Sequence, residues 1–175
     1  MKVIGDKNIF AIEFRLEYVD TKNFYGNIWF WINNTKVGAM DKESYLSSSV
    51  RFLKDFLIFT DVRRIWQSEL MNAEEVFWNI CVQFNRGYEE KNRLYLKEEI
   101  YNQIFRLETV GDANFFDEVK IMLINEPEKN RQRFILRKYV DEKIEEYFIP
   151  YGYFEEVAQN YINELENEVA IWNKS

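Results

Sequence analysis

FYGNIWFWINNTKVG, residues 24–38, decides how the rest of the chain is read. It is a run of aromatic and branched residues that turns at Asn33-Asn34. Asparagine tolerates the positive φ of a tight hairpin turn, so the pair predicts a hairpin tip. Side chains alternate along a strand. Ile28, Phe30 and Ile32 therefore share one face, and Asn27, Trp29, Trp31 and Asn33 share the other. Two large rings on the second face need a cover: a helix, another strand or a partner protein. From the residues alone, Trp29 and Trp31 read either as core or as an exposed aromatic anchor of the kind that dominates binding hot spots.

The pattern extends in both directions. Phe10, Ile12, Phe14, Leu16 and Tyr18 alternate with Ala11, Glu13, Arg15 and Glu17, which predicts a half-buried antiparallel strand over residues 9–19. With a short return strand from Thr35 to Ala39 it makes a three-stranded meander. A serine among Ser47, Ser48 and Ser49 can cap a helix that turns Val50, Leu53 and Phe56 or Leu57 inward. Residues 61–70 lean to helix, with Ile65, Trp66 and Leu70 inward. Asn72 and Glu75 form a capping-box pair ahead of Val76, Phe77, Ile80 and Phe84, and Gly87 supplies a stop. Residues 88–93 predict an exposed loop, and 94–102 read equally as helix or as the approach to a strand.

Further on, Ile104 to Val110 alternates as a strand, residues 111–114 turn, and Val119 to Ile124 is apolar enough for a central strand. Asn125 to Glu128 breaks it. Arg133 to Tyr139 and Ile144 to Ile149 form a second meander around a tight turn at Asp141-Glu142, ended by Pro150 and Gly152. Phe154, Val157, Ala158, Tyr161, Ile162, Leu165, Val169 and Trp172 then recur at intervals of three and four, a stripe on a helix of about five turns. The expected fold is α+β: a mostly antiparallel sheet built from two meanders, helices packed on one side, and a long C-terminal amphipathic helix. A single domain over residues 1–175 is expected, since a chain of this length buries roughly 70% of its unfolded surface.

Composition narrows function. Apolar residues make up 47% and charged residues 30%, enough for a core and a solvated surface. The net charge of −7 argues against binding nucleic acid or anionic lipid. Residues 1–87 are net neutral and residues 88–175 carry the whole excess, so any field that attracts a basic partner comes mainly from the second half. One cysteine permits no internal disulfide, and no secretory apolar segment opens the chain, which points to a reducing cytoplasm. No apolar run approaches the ~18 residues of a membrane span. Histidine is absent, which removes Ser-His and Cys-His catalysis and histidine metal sites. No glycine-rich phosphate loop, metal-ligand cluster or nucleophile elbow is present. No cofactor, metal or catalytic residue is therefore expected. Glu13 and Glu17 are the one carboxylate pair to weigh for acid–base work, and Arg15 between them favours a solvated, charge-paired strand face. Cys81 beside Ile80 reads as a small buried residue. Glu155, Glu156, Glu164, Glu166 and Glu168 precede any Lys or Arg on the last helix. They read as its solvated side or as an acidic face for a basic partner.

Phe10-Ala11-Ile12-Glu13-Phe14, then Gly26 with Phe30-Trp31-Ile32-Asn33-Asn34 and Val37-Gly38, resembles immunity protein 42, a family of bacterial polymorphic-toxin systems. Pro150-Tyr151-Gly152-Tyr153-Phe154 is similar as well. Asn34 stands where such hairpins often carry glycine. The resemblance implies a small cytoplasmic protein that binds the toxin made beside it and blocks it by steric occlusion, with no catalytic residues to carry over. The partner is expected to be a basic toxin domain. Its contact surface is expected at Glu155, Glu156, Glu164 and Glu168, with Tyr151 and Tyr153 at the start of the helix. Two rivals stay open: a homodimer or larger homo-oligomeric scaffold joined through Trp29 and Trp31, and a carboxylate-only hydrolase using Glu13 with Glu17.

Overall fold

The computed structural model describes residues 1–38, 44–65, 67–85, 104–107, 119–138, 140 and 142–174, with the side chains of 81–85 excepted. The strands are β1 (Lys2–Asp6), β2 (Phe10–Val19), β3 (Phe24–Ile32), β4 (Thr35–Val37), β5 (Ser44–Tyr45), β6 (Val119–Glu126), β7 (Arg131–Lys138) and β8 (Ile144–Pro150). The helices are α1 (Leu46–Ile58), α2 (Ala73–Asn85) and α3 (Tyr153–Trp172).

The first sheet has the order β1-β2-β3-β4, with β5 also paired to β3. Phe10 lies opposite Ile32, Ile12 opposite Phe30, and Phe14 opposite Ile28. The two alternating stretches thus merge into one apolar layer, and all six side chains are fully buried. Asn33 and Asn34 have φ of 48° and 59°, the positive-φ tip that the hairpin requires. β1 adds an edge strand beyond the expected meander. The register slips between Leu16 and Tyr18, beside Gly26. A Cβ on Gly26 would sit 1.9 Å from the Arg15 carbonyl oxygen, so only glycine fits this close approach of strands.

The second sheet is antiparallel with the order β6-β7-β8. Its centre is β7, not the apolar run of β6. The outer side of β6 is met by an isolated bridge from Arg106 to Met122 and by the Leu107 amide, which donates to the Ile121 carbonyl at 2.8 Å. β6 reads as apolar throughout because both its faces are covered. Ile121 and Leu123 join the main core, while Met122 and Ile124 face a second cluster.

The main core lies between the inner faces of both sheets, α1 and α3. At its centre the Phe10 ring stands 5.2 Å from those of Phe134 and Phe154. α2 packs Val76, Phe77 and Ile80 on the opposite face of the second sheet, with Ile104 and Phe105. Helices therefore cover the second sheet on both faces, where the sequence pattern placed helices on one side.

Local expectations divide. Asn72 and Glu75 form the reciprocal cap of α2, each side chain accepting the other's amide at 2.9 Å. On α3, Phe154, Val157, Ala158, Tyr161, Ile162 and Leu165 are buried and Val169 packs against them, but Trp172 is 43% exposed at the helix end. No serine caps α1. β5 pairs with β3 up to the helix start, Tyr45 takes the cap position, and Ser49 turns inward to the Leu46 carbonyl and the Tyr161 hydroxyl, both at 2.7 Å. The described residues of 61–70 form no α-helix. Among the described residues, short 3-10 turns lie at Thr60–Val62 and Ser68–Leu70, Gln67 is left-handed at φ 60°, and Leu70 is 77% exposed. The segment is shaped by Arg63, whose side chain enters the core. Ile104 and Phe105 are helical rather than extended, and Arg106 and Leu107 pair with β6. The expectations for Trp66, for residues 86–103 and 108–118, for Tyr139 and Asp141, and for the Cys81 side chain lie outside the described residues.

Candidate functional site

β2 and β3 alternate, so the face of the first sheet turned away from the core carries Glu13 and Arg15 beside Tyr25, Asn27, Trp29 and Trp31. Its two ends differ. At the hairpin end, Glu13 is 6% exposed, contrary to the solvated strand face expected. Its carboxylate accepts the Trp31 indole N–H at 2.8 Å and lies 3.3 Å from both the Lys7 and Lys36 amines. Burial pushes the Glu13 carboxyl up, but Trp31, Lys36 and Lys7 outweigh it and hold the group below its ordinary range. The lysines double as a roof: Lys36 Nζ stands 4.0 Å above the Trp29 ring, and Lys7 Nζ 4.0 Å above Trp31. Trp29 is 3% exposed and its indole N–H is buried without an acceptor. Trp29 is therefore core, which removes it as an open anchor for a second copy of the chain.

At the other end of the face, Tyr18 and Tyr45 both lie opposite Tyr25 in register. Ring centroids are 5.7 Å apart from Tyr18 to Tyr25 and 4.8 Å from Tyr25 to Tyr45. The three rings run as a ladder across β2, β3 and β5. The sequence reading missed it, although Tyr18 and Tyr25 flank the polar turn of residues 20–23, and cross-strand pairing there could have suggested contact.

The carboxylates weighed for catalysis do not converge. Glu17 pairs with Arg15, and Arg15 also donates to the Asn27 side chain at 3.2 Å. Glu13 and Glu17 are thus neutralised by separate cations. A groove of about 390 Å³ lies elsewhere, between the start of α2 and β8, lined by Asn72, Ala73, Glu74, Glu142, Ile144 and Glu146. Among the described residues, no group of three or more carboxylates and cysteines is placed to hold a metal ion.

The α3 residues expected at the interface are dispersed. Glu155 is drawn inward. It accepts from Arg63 at 2.9 Å and from Gln132 at 2.8 and 3.0 Å. Arg63 is fully buried and also donates to the Ile104 carbonyl at 2.9 Å and the Phe56 carbonyl at 2.8 Å. Burial lowers the Arg63 pKa to about 10, against the pull of Glu155, so the guanidinium stays cationic at neutral pH. This network ties the 60–65 segment, β7 and α3 together. Breaking such a pair from one side costs about 3–5 kcal/mol, which makes Glu155 a structural residue. Glu164 and Glu168 share Lys2 of β1, whereas Glu166 meets Lys54 of α1 at 2.6 Å. Glu156 is exposed. The helical period puts Glu155 and Glu166 on one flank, Glu164 and Glu168 on the other, and Glu156 outward. Tyr151 and Tyr153 are half-buried, and the Tyr153 hydroxyl accepts the Asp6 amide at 2.9 Å.

No curated protein matches the sequence. Among solved structures, the chain is similar to CdiI from Burkholderia dolosa AUO158, at 14% identity and a TM-score of 0.66, over 93% of this chain and 99% of that one. At that identity the likeness is one of fold. The model of the family described as immunity protein 42 matches residues 1–164. With nearly the whole chain matched and the α+β architecture in place, the protein belongs to the immunity protein 42 family and is an immunity protein of a toxin system.

Proposed function

We propose that this chain neutralises its cognate toxin by covering it in a stoichiometric complex, in the cytoplasm, and transforms nothing. The observation that carries the reading is the family match over residues 1–164. The separate neutralisation of Glu13 and Glu17 supports the absence of chemistry. Among the described residues no helix is long and apolar enough to cross a membrane.

The toxin domain is basic on this reading, because the chain's excess charge of −7 resides in residues 88–175. Complementary charge raises the rate of association more than it lowers the rate of dissociation. Glu156, Glu164 and Glu168 serve as steering charges spread along α3, with Tyr151 and Tyr153 at the helix start, whereas Glu155 is committed to Arg63. The test is association kinetics with the C-terminal domain of the toxin encoded immediately upstream. E164K/E168K should slow association roughly tenfold at low salt and blunt its salt dependence. An unchanged on-rate removes these two residues from the approach surface.

A further inference from the structure

We infer that the tyrosine ladder Tyr18–Tyr25–Tyr45 receives a cationic side chain, arginine or lysine, presented by the partner toxin. The inference rests on the toxin-covering reading and names the surface that does the holding.

The ladder is open. Tyr18 is 53% and Tyr45 42% exposed, although each stacks on Tyr25. Of the other exposed rings, Phe148 already carries Arg131 at 3.8 Å and Trp78 carries Arg137 at 5.2 Å, while Ile58, Val62 and Leu70 present no ring face. The ladder is also set in place before binding. Tyr25 is paired in register on both sides, and its hydroxyl donates to Asp20 at 3.0 Å. Rings already ordered lose little conformational freedom on binding.

Charge selects the occupant. The Asp20 carboxylate accepts the amides of Lys22 at 2.7 Å and Asn23 at 2.6 Å, and these bonds hold it below the usual carboxyl range. Burial, with Asp20 nearby, pushes the Tyr25 hydroxyl up to about 12, so it remains a donor. Electron-rich ring faces beside a fixed anion suit a guanidinium or ammonium group. Glu164 and Glu168 stand apart from the ladder: they belong to α3, which packs on the core face of this sheet, and they clasp Lys2 on the β1 edge.

The probe is the purified C-terminal domain of the toxin encoded immediately upstream, with dissociation rates read for three double variants. Y18A/Y45A should dissociate at least tenfold faster than the unaltered chain. Y18F/Y45F, which keeps the ring faces, should stay within twofold. Y18L/Y45L, which keeps apolar bulk without a π face, should dissociate as fast as the alanine variant. Alanine within twofold of the unaltered chain overturns the surface. Leucine at the unaltered rate overturns the cationic occupant. If the unaltered chain itself does not bind, the toxin-covering reading fails and this inference with it. Each variant is first checked for an unchanged denaturation midpoint, and the single Y18A variant serves where the double is destabilised.

Discussion

The same sheet face carries two sets of aromatic residues with opposite fates. At the hairpin end, Trp29 and Trp31 lie under Lys36 and Lys7, and Trp31 donates to a buried Glu13. At the far end, Tyr18, Tyr25 and Tyr45 stack on one another with two rings open to solvent. Both sets are large rings on one face, the tryptophans at alternate positions of β3 and the tyrosines side by side across β2, β3 and β5. What separates them is what stands across the strand. A carboxylate between two lysines builds a roof over the tryptophans, whereas tyrosine opposite tyrosine builds a shelf. The first arrangement contributes stability and the second leaves area for a partner.

The largest expected effect is at the roofed end. Trp29→Ala should cost about 3–5 kcal/mol, read as a lower midpoint in urea denaturation. A loss under about 1 kcal/mol would mean that the roof is not core. Glu13→Gln comes next. It keeps the shape, removes the charge from two lysines and weakens the bond from Trp31, so a loss of about 1.5–3 kcal/mol at neutral pH is expected. The pH dependence sharpens this. The folded Glu13 carboxyl lies below its ordinary value of 4.5. Its contribution is therefore fully present above 4.5 and is lost as pH falls through the lower folded value. The unaltered chain should lose more stability on acidification below 4.5 than Glu13→Gln does, and parallel curves would contradict the assignment. The smallest effect is at the open end. Tyr18→Ala should change stability by no more than about 0.5 kcal/mol. A loss as large as that of Trp29→Ala would erase the distinction between the two ends.

How legible this was in the sequence follows the same division. Alternation in residues 9–19 and 24–32, the Asn33-Asn34 turn, the Asn72/Glu75 cap and the α3 stripe are local patterns, and local geometry bears them out. The misses come from distant partners. Leu70 is exposed, while Arg63, a residue with no apolar signal, is fully buried through carbonyl and carboxylate partners far along the chain. Glu155 looks like part of an acidic surface until Arg63 and Gln132 meet it from segments far along the chain. Glu13 reads as strand exterior until Lys7 and Lys36 reach over it from a turn and from β4. The tyrosine ladder needs β5, a two-residue strand with no periodic signal of its own. Charge and ring type are written in the sequence, but which charge covers which ring depends on strand pairing.

The central claim is that this immunity protein works by covering its toxin. The most direct measurement titrates the purified chain into the upstream-encoded toxin domain while the toxin's activity is followed. Covering predicts a loss of activity linear in added chain, ending at one chain per toxin, with both proteins recovered intact from the complex. Full loss of activity at a small fraction of one equivalent, or no complex at any ratio, would contradict it.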